Sequence, residues 1–306
     1  MRHFLLLLLA CATLSGASQE RPKILGIAHM GLYVHDIEEA RAFYKGLLGF
    51  GEPFKLDNPD GSLSLTFIKV NEDQYIELFP EKQPKTDRLA HIAIQVESAE
   101  AMRLYLAANG IKVPATTPKG RTLNSNFMVK DPDGHLVEIV QYEPDGFTRR
   151  EKGKFLDGPR ISTRIAHVGI TVAKLDASMK FYGDLLGFKE FWRGSKEGKV
   201  LEWVNMRVPE GNDYIEFMLY DETPSLARMG SFNHICLEVT DMDQAKADLE
   251  KRTAVKNYKR PLEIKTGTNH KRQLNLFDAD GTRTELMEPK TIDGKPVPSS
   301  TALPPR

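Results

Sequence analysis

The sequence predicts an α+β protein of four βαβββ modules, paired into two domains. The segment IAHMGLYV at 27–34 returns as IAHVGITV at 165–172, and eleven of 25 positions are identical between 26–50 and 164–188. A repeat offset of 138 residues in a chain of 306 indicates a duplicated domain. Within each half, strands that open with a histidine alternate with amphipathic helices and hairpin turns. This order favours helices packed on one face of a sheet.

The first module begins with a strand over 27–34, in which apolar residues that share one face alternate with the residues of the other face. Asp36, with a glutamate three residues later, forms a capping box that predicts the start of a helix. Apolar residues then recur at the spacing of an amphipathic α-helix until Gly49, which predicts its end. Further strands are predicted near 63–70 and 74–79.

The other modules repeat this order. In the second module, a strand over 90–96 precedes a helix that begins after Ser98, and two strands flank the turn DPDG at 131–134. The third module is the repeat of the first. The fourth opens with HICLEV at 234–239, and Asp241 with Gln244 forms another capping box at a helix start. DADG at 278–281 repeats the hairpin turn.

The predicted boundaries follow from these modules and from the segments rich in proline and glycine between them. They are a first domain at 24–143 with modules 26–80 and 89–142, a linker at 144–162, a second domain at 163–289 with modules 163–220 and 232–288, and a proline-rich tail at 290–306. The tail has no apolar periodicity, so we expect it to be disordered. The long linker favours pairing of modules within each domain.

The first 17 residues have the pattern of a secretory signal peptide. A basic start precedes an apolar run, and Ser15-Gly16-Ala17 is a small-residue cleavage site. We therefore expect an exported protein, periplasmic or extracellular, that starts at Ser18 and has no membrane span. Cys236 is then the only cysteine, so no disulfide within the chain is expected.

The charge balance narrows the class of partner. Lysine plus arginine number 42, and aspartate plus glutamate also number 42. A neutral chain offers no electrostatic field for nucleic acid or for an anionic membrane. The expected partner is therefore a small-molecule substrate.

Each module carries a histidine on its first strand and a glutamate on its last strand. The pairs, separated by 48, 47, 49 and 51 residues, are His29 with Glu77, His91 with Glu138, His167 with Glu216, and His234 with Glu285. Burying a carboxylate between apolar strand neighbours is costly unless it has a partner. Imidazole and carboxylate groups suit a divalent transition metal, which could polarise a substrate oxygen. We therefore predict that these eight residues are metal ligands.

Other polar residues carry a weaker signal. Cys236 shares a strand face with a predicted ligand, but simple packing is the commoner role of a free cysteine. Arg283 shares a face with the last glutamate, and it either orients an anionic substrate or pairs with a carboxylate. The histidines without fourfold placement are interpreted as surface or turn residues: His35, His135 and His270.

At this point the chain resembles the vicinal oxygen chelate superfamily, which includes glyoxalase I, extradiol dioxygenases, epimerases and antibiotic-resistance proteins. The matching motifs are HVGITV with FYGDLLGF, YIEL, AHIAIQV and FMVKDPDGHLVEIV, and the resemblance covers about 24–143 and 163–289. It implies a U-shaped sheet around one metal ion in each domain, hence up to two ions of Zn, Ni, Fe or Mn per chain. The implied ligand sets are His29, Glu77, His91 and Glu138 in the first domain, and His167, Glu216, His234 and Glu285 in the second. The resemblance also implies that Glu138 and Glu285 are catalytic bases.

Two departures narrow the expected reaction. Where glutathione-dependent glyoxalase I has an arginine and an asparagine for glutathione, this sequence has Tyr33 and Glu81 in the first domain, and Thr171 and Tyr220 in the second. Dioxygenases use two histidines and one glutamate, and a fourth protein ligand would crowd their chemistry. We therefore expect an exported glyoxalase-like metalloenzyme, of isomerase or lyase type, that transfers a proton on a small metal-chelated oxygenated substrate. The alternatives are an extradiol dioxygenase and a small-molecule-binding protein of the bleomycin-resistance type.

Overall fold

The computed structural model describes residues 20–83 and 87–305. The predicted signal peptide at 1–17 lies outside the described residues. Among the helices in the described part of the chain, none is long and apolar enough to cross a membrane.

The first sheet contains seven strands, in the order β2-β3-β4-β1-β5-β7-β6. Its strands are β1 Ile24–Val34, β2 Gly51–Asp57, β3 Leu63–Lys69, β4 Tyr75–Pro80, β5 Leu89–Val96, β6 Ser125–Lys130 and β7 Leu136–Gln141. Strand β1 runs parallel to β4 and antiparallel to β5, so the first two modules join along their opening strands.

The second sheet has eight strands, in the order β13-β14-β15-β12-β8-β11-β10-β9. Its strands are β8 Ile165–Val172, β9 Lys189–Gly194, β10 Trp203–Arg207, β11 Tyr214–Leu219, β12 His234–Glu238, β13 Ile264–Thr266, β14 Lys271–Phe277 and β15 Arg283–Thr291. Here β8 and β12 join modules three and four. The α+β fold class with paired modules is therefore confirmed, although the second module contributes three named strands instead of four.

Within the described residues, six short α-helices pack on these sheets. They are α1 Ile37–Arg41, α2 Ala99–Ala108, α3 Phe147–Arg150, α4 Leu175–Ser178, α5 Leu226–Phe232 and α6 Met242–Lys251, with a 3₁₀ segment at Thr253–Asn257. The predicted caps are confirmed, because the side chains of Asp36, Ser98 and Asp241 each accept backbone N–H bonds at a helix start.

The prediction of a regular α-helix over the FYxxLLGF motif is wrong in one respect. Residues Ala42–Leu47 and Met179–Leu185 wind as π-helices, in which Leu48 N–H donates to the carbonyl of Phe43. The wider turn accommodates two consecutive buried aromatic rings, Phe43 and Tyr44, which meet edge to face.

Reciprocal hydrogen bonds join the two domains. The buried hydroxyl of Tyr44 donates to Asp278 Oδ2 at 3.1 Å, and that of Tyr182 donates to Asp131 Oδ2 at 3.0 Å. Each tyrosine belongs to the repeated FY motif, and each aspartate opens the repeated DxDG turn of the other domain. One continuous apolar core runs through both domains.

The proposed linker and tail both pack on the domains. The buried ammonium of Lys69 donates to the linker carbonyls of Glu151 and Lys154. In the tail, Leu201 N–H donates to the carbonyl of Leu303 at 2.8 Å, and the two segments form a β-bridge. The expectation of a disordered tail is therefore wrong, because backbone pairing holds a segment that has no apolar periodicity of its own.

Candidate metal centres

Strand register brings the four donors of the first domain together. Gly31 of β1 is the direct strand partner of both Glu77 on β4 and His91 on β5. His29 lies two residues before Gly31 and shares its face. Glu138 on β7 reaches the same place because β7 pairs with β5.

The first cluster consists of His29, Glu77, His91 and Glu138, all buried. The Nε2 atoms of His29 and His91 are 2.9 Å apart, and Oε2 of Glu138 lies 3.2 Å from each of them. The carboxylate of Glu77 lies 3.4 Å from His29 Nε2 and 3.5 Å from His91 Nε2. Oxygens of both carboxylates therefore lie within 3.5 Å of the paired histidine nitrogens. The donor atoms of His29, Glu77 and His91 all lie within 4.8 Å of one another, whereas Glu138 approaches the two histidines and not Glu77 as closely.

The second cluster consists of His167, Glu216, His234 and Glu285, also buried. The Nε2 atoms of the two histidines are 3.1 Å apart. The carboxylate oxygens of Glu216 and Glu285 lie 3.4–3.8 Å from these nitrogens. The His234 Nδ1 atom lies 2.7 Å from the Phe232 carbonyl, which leaves Nε2 free to face the cluster if Nδ1 carries the proton.

The donor sets fit a divalent transition metal. Two ligands that lie about 2.1 Å from an ion and at right angles to each other are about 3.0 Å apart. The separations between histidine nitrogens in the two clusters, 2.9 and 3.1 Å, match this spacing. Two imidazoles and two carboxylates are also the donors that Zn, Ni, Fe and Mn accept.

Two glycines make room for the second histidine of each cluster. A methyl group at Gly31 would lie 2.5 Å from Cε1 of His91, and one at Gly169 would collide with the ring of His234. Both glycines follow the first histidine of their cluster by two residues, in the pattern His-x-Gly. This signal was present in the sequence and was missed.

Burial and mutual contact perturb the groups of the first cluster. Burial lowers the pKa of His29, but Glu77 and Glu138 outweigh it and raise the pKa overall. Burial raises the pKa of Glu77. Burial also acts to raise the pKa of Glu138, yet His29 and His91 hold it well below its ordinary value. Two carboxylates buried side by side thus need protons or a cation to balance their charge.

The first cluster opens into a cavity of about 200 Å³. Phe67 and Phe79 form part of its apolar wall, and Arg121 is the one lysine or arginine on the walls within the described part of the chain. Tyr75 also lines this cavity, and its buried hydroxyl has no hydrogen-bond partner among the described residues. Neither Tyr75 nor Arg121 was singled out from the sequence.

The second cluster is more tightly covered. Tyr214 stands at the strand position that Tyr75 has in the first domain, and its ring packs on His167 with centroids 4.4 Å apart. The guanidinium of Arg283 lies against the imidazole of His234, whose Nδ1 and Nε2 atoms are 2.8 and 2.9 Å from Nη2. Burial and Arg283 lower the pKa of His234 to about 3, so this imidazole is neutral at neutral pH.

Comparison with known proteins identifies the family. The sequence model of the Glyoxalase/Bleomycin resistance protein/Dioxygenase superfamily matches residues 26–139 and 164–286. The chain belongs to this superfamily.

Two relatives of named activity are each 30% identical to part of this chain. A probable lactoylglutathione lyase of Synechocystis sp. is 30% identical over 125 residues, which are 38% of this chain and 94% of that protein. The lactoylglutathione lyase of Salmonella typhimurium is 30% identical over 129 residues, 39% of this chain and 95% of the relative. These relatives are enzymes, in agreement with the expectation for this chain.

Solved structures of the superfamily share the whole two-domain fold. The 2,3-dioxygenase LapB from Pseudomonas sp. KL28 has a TM-score of 0.67 at 16% identity, over 91% of this chain and 98% of its own. A Mn(II)-bound glyoxalase from Novosphingobium aromaticivorans has a TM-score of 0.66 at 19% identity, over 92% of this chain and 88% of its own. At these identities the likeness shows the fold.

The remaining polar residues have mixed outcomes. Cys236 is buried in a small apolar cluster, so its interpretation as a packed residue is confirmed. His35 is exposed and His270 lies in a turn, as predicted. His135 closes the turn that begins at Asp131, as predicted, but it is not a surface residue. It is mostly buried between the domains, with Nδ1 2.8 Å from Asp131 and Nε2 3.1 Å from Thr171. Sequence spacing could not show that the turn before His135 meets another domain.

Proposed function

We propose that this chain is an exported, metal-dependent enzyme of glyoxalase-like type, which transfers a proton on a small oxygenated substrate at the first cluster. The observation that carries the proposal is the cavity of about 200 Å³ onto which the four donors of this cluster open. The lactoylglutathione lyase relatives support lyase-type chemistry. The signal-like pattern at 1–17 supports export to the periplasm or the extracellular space.

The residues of the first cluster have separate roles in this proposal. His29, Glu77, His91 and Glu138 would hold a divalent ion, and the second cluster offers a matching set of donors. When bound, the ion would supply Lewis acidity towards a substrate oxygen. Glu138 would accept the proton that leaves the substrate carbon next to that oxygen, since its carboxylate lines the cavity. Glu285 is its counterpart in the second cluster.

The cavity walls indicate the class of substrate. Phe67 and Phe79 suit an apolar body, and the unpartnered hydroxyl of Tyr75 can donate to a substrate oxygen. Arg121, on the same walls, has no acidic partner among the described residues and suits a carboxylate. We therefore propose a small α-hydroxycarbonyl compound with an apolar group and a carboxylate.

Solvent-proton exchange tests this function. The metal-loaded protein is incubated in D₂O with a panel of α-hydroxycarbonyl acids, and exchange at the carbon is followed by NMR. We expect Glu138→Gln to lower the exchange rate by about 10²–10⁴-fold, because glutamine keeps the size and an oxygen donor but loses the basicity. The matched control is Glu285→Gln, which makes the same change in the covered cluster and should retain activity. Equal rates in the wild type and Glu138→Gln would contradict the proposal.

A second candidate is an extradiol dioxygenase, which the aromatic walls of the cavity favour because a planar ring could stack between them. Oxygen uptake on a panel of catechols, without proton exchange on any carbonyl compound, would contradict the proposed function and support a dioxygenase. Tight binding of a small molecule without turnover or oxygen uptake would instead indicate a binding protein.

A further inference from the structure

The two clusters have the same four donors but different charged neighbours. In the second cluster, Nη2 of Arg283 lies 2.8 and 2.9 Å from the two ring nitrogens of His234. Lys271, on β14, is half-buried and lines one cavity with Tyr214 and with Asn205, the strand partner of Glu216. Like Arg283, it acts electrostatically on Glu216. Two fixed positive charges therefore act on the two carboxylates of this cluster.

The corresponding positions of the first cluster are uncharged. Arg283 lies two residues before Glu285, and the residue two before Glu138 is Leu136. Lys271 lies four residues before Asn275, the strand partner of Glu285; the residue four before Met128, the strand partner of Glu138, is Asn124. The pKa of Glu77 responds to His29, His91 and Glu138, the other members of the cluster. Arg121, on the wall of their cavity, is exposed to solvent, which screens its charge.

This difference has a direct consequence for cation binding. A metal ion binds neutral imidazoles and ionised carboxylates, and in that form the two carboxylates of each cluster carry a charge of about −2. In the second cluster, Arg283 and Lys271 balance that charge from within the protein. A divalent ion placed there would meet the guanidinium across a single imidazole ring, and like charges repel strongly at such short range in a buried site.

We propose that the two clusters are unequal cation sites: the first binds a divalent transition metal tightly, whereas Arg283 and Lys271 make the second bind it at least about 100-fold more weakly. The inference rests on the metal dependence in the proposed function, and it adds which of the two clusters binds the ion more tightly. The second cluster then has a structural role: charges of the protein balance one another there, and the buried side chains hold modules three and four together.

Metal titration of the full mature chain tests the inference without an activity assay. The protein is stripped with a chelator and titrated with Zn²⁺ against a chromophoric competitor, and bound metal is counted by elemental analysis. We expect one tight ion per chain, which His29→Ala removes and His167→Ala leaves in place. Arg283→Met with Lys271→Met should create a second tight site, whereas Arg283→Lys, which keeps the charge, should not.

The outcomes separate this inference from the proposed function. Two equally tight ions in the wild type would overturn the inequality and leave the metal dependence intact. A tight ion that His167→Ala removes and His29→Ala spares would overturn the choice of cluster. No tight ion at all would overturn both proposals. The intact first site reports folding of the Arg283 and Lys271 variants, so a folded double variant that still binds one ion would also contradict the inference.

Discussion

Replacing Gly31 by alanine should weaken metal binding at the first cluster although Gly31 offers no ligand. The added methyl carbon would lie 2.5 Å from Cε1 and 2.6 Å from Nδ1 of His91. Non-bonded carbon atoms keep about 3.5 Å or more between them, so the imidazole must move by about 1 Å. Metal–ligand distances tolerate displacements of only about 0.2 Å. Nε2 of His91 would therefore leave its position in the cluster.

The expected loss is about 10–100-fold in metal affinity, the range found when the support of a ligand is disturbed. Overpacking should also lower the free energy of unfolding by about 1–3 kcal/mol. Competitive titration with Zn²⁺ measures the affinity, and chemical denaturation measures the stability. The matched control is Gly183→Ala, because its methyl group would meet only ordinary contacts, with Met206 at 3.6 Å.

A double-mutant cycle checks that the glycine acts through the histidine. If Gly31 serves to place the ring of His91, adding Gly31→Ala to His91→Ala should cost little further affinity. The reasoning is refuted if Gly31→Ala binds Zn²⁺ as tightly as Gly183→Ala. It is equally refuted if the two substitutions at 31 and 91 lower the affinity additively.

Three further predictions concern the substrate, acid stability and processing. Arg121→Gln should raise KM for a carboxylate substrate by about 10-fold or more and leave KM for its neutral amide analogue unchanged. Arg121→Lys, which keeps the charge, should restore part of the loss. Equal effects on the acid and on the amide would contradict a role of Arg121 in binding the carboxylate. Arg41, Lys45 and Thr66 hold the pKa of Glu52 at about 2 although burial opposes them, so its stabilisation is present above about pH 4.5 and disappears as the pH falls through about 2. Glu52→Gln should thus lower the free energy of unfolding at pH 7 by about 1.5–3 kcal/mol, and the difference in stability between variant and wild type should vanish near pH 2. The control Glu38→Gln, at an exposed ion pair, should change the free energy of unfolding by less than about 1 kcal/mol. Intact-mass measurement of protein from its native host should show a start at Ser18, and a retained Met1 would contradict export by a cleaved signal.

The sequence by itself determined which side chains could form the two clusters. A period of two along each strand fixes the face on which His29 or Glu138 lies, and a repeat at matched spacing separates a ligand pattern from a single buried histidine. Helix starts at Asp36, Ser98 and Asp241 were equally readable, because a cap is a local contact within three residues.

Tertiary structure decided what these residues meet. Three contacts join residues that lie 36 to 60 positions apart in the sequence. They are the contact of Arg283 with His234, the packing of the His91 ring on Gly31, and the contact of His135 with Thr171. Such contacts depend on strand register and on how domains dock, and no local periodicity encodes either. For the same reason the sequence presented two equivalent sites, whereas the fold opens the first cluster into a cavity and places Arg283 against a histidine of the second.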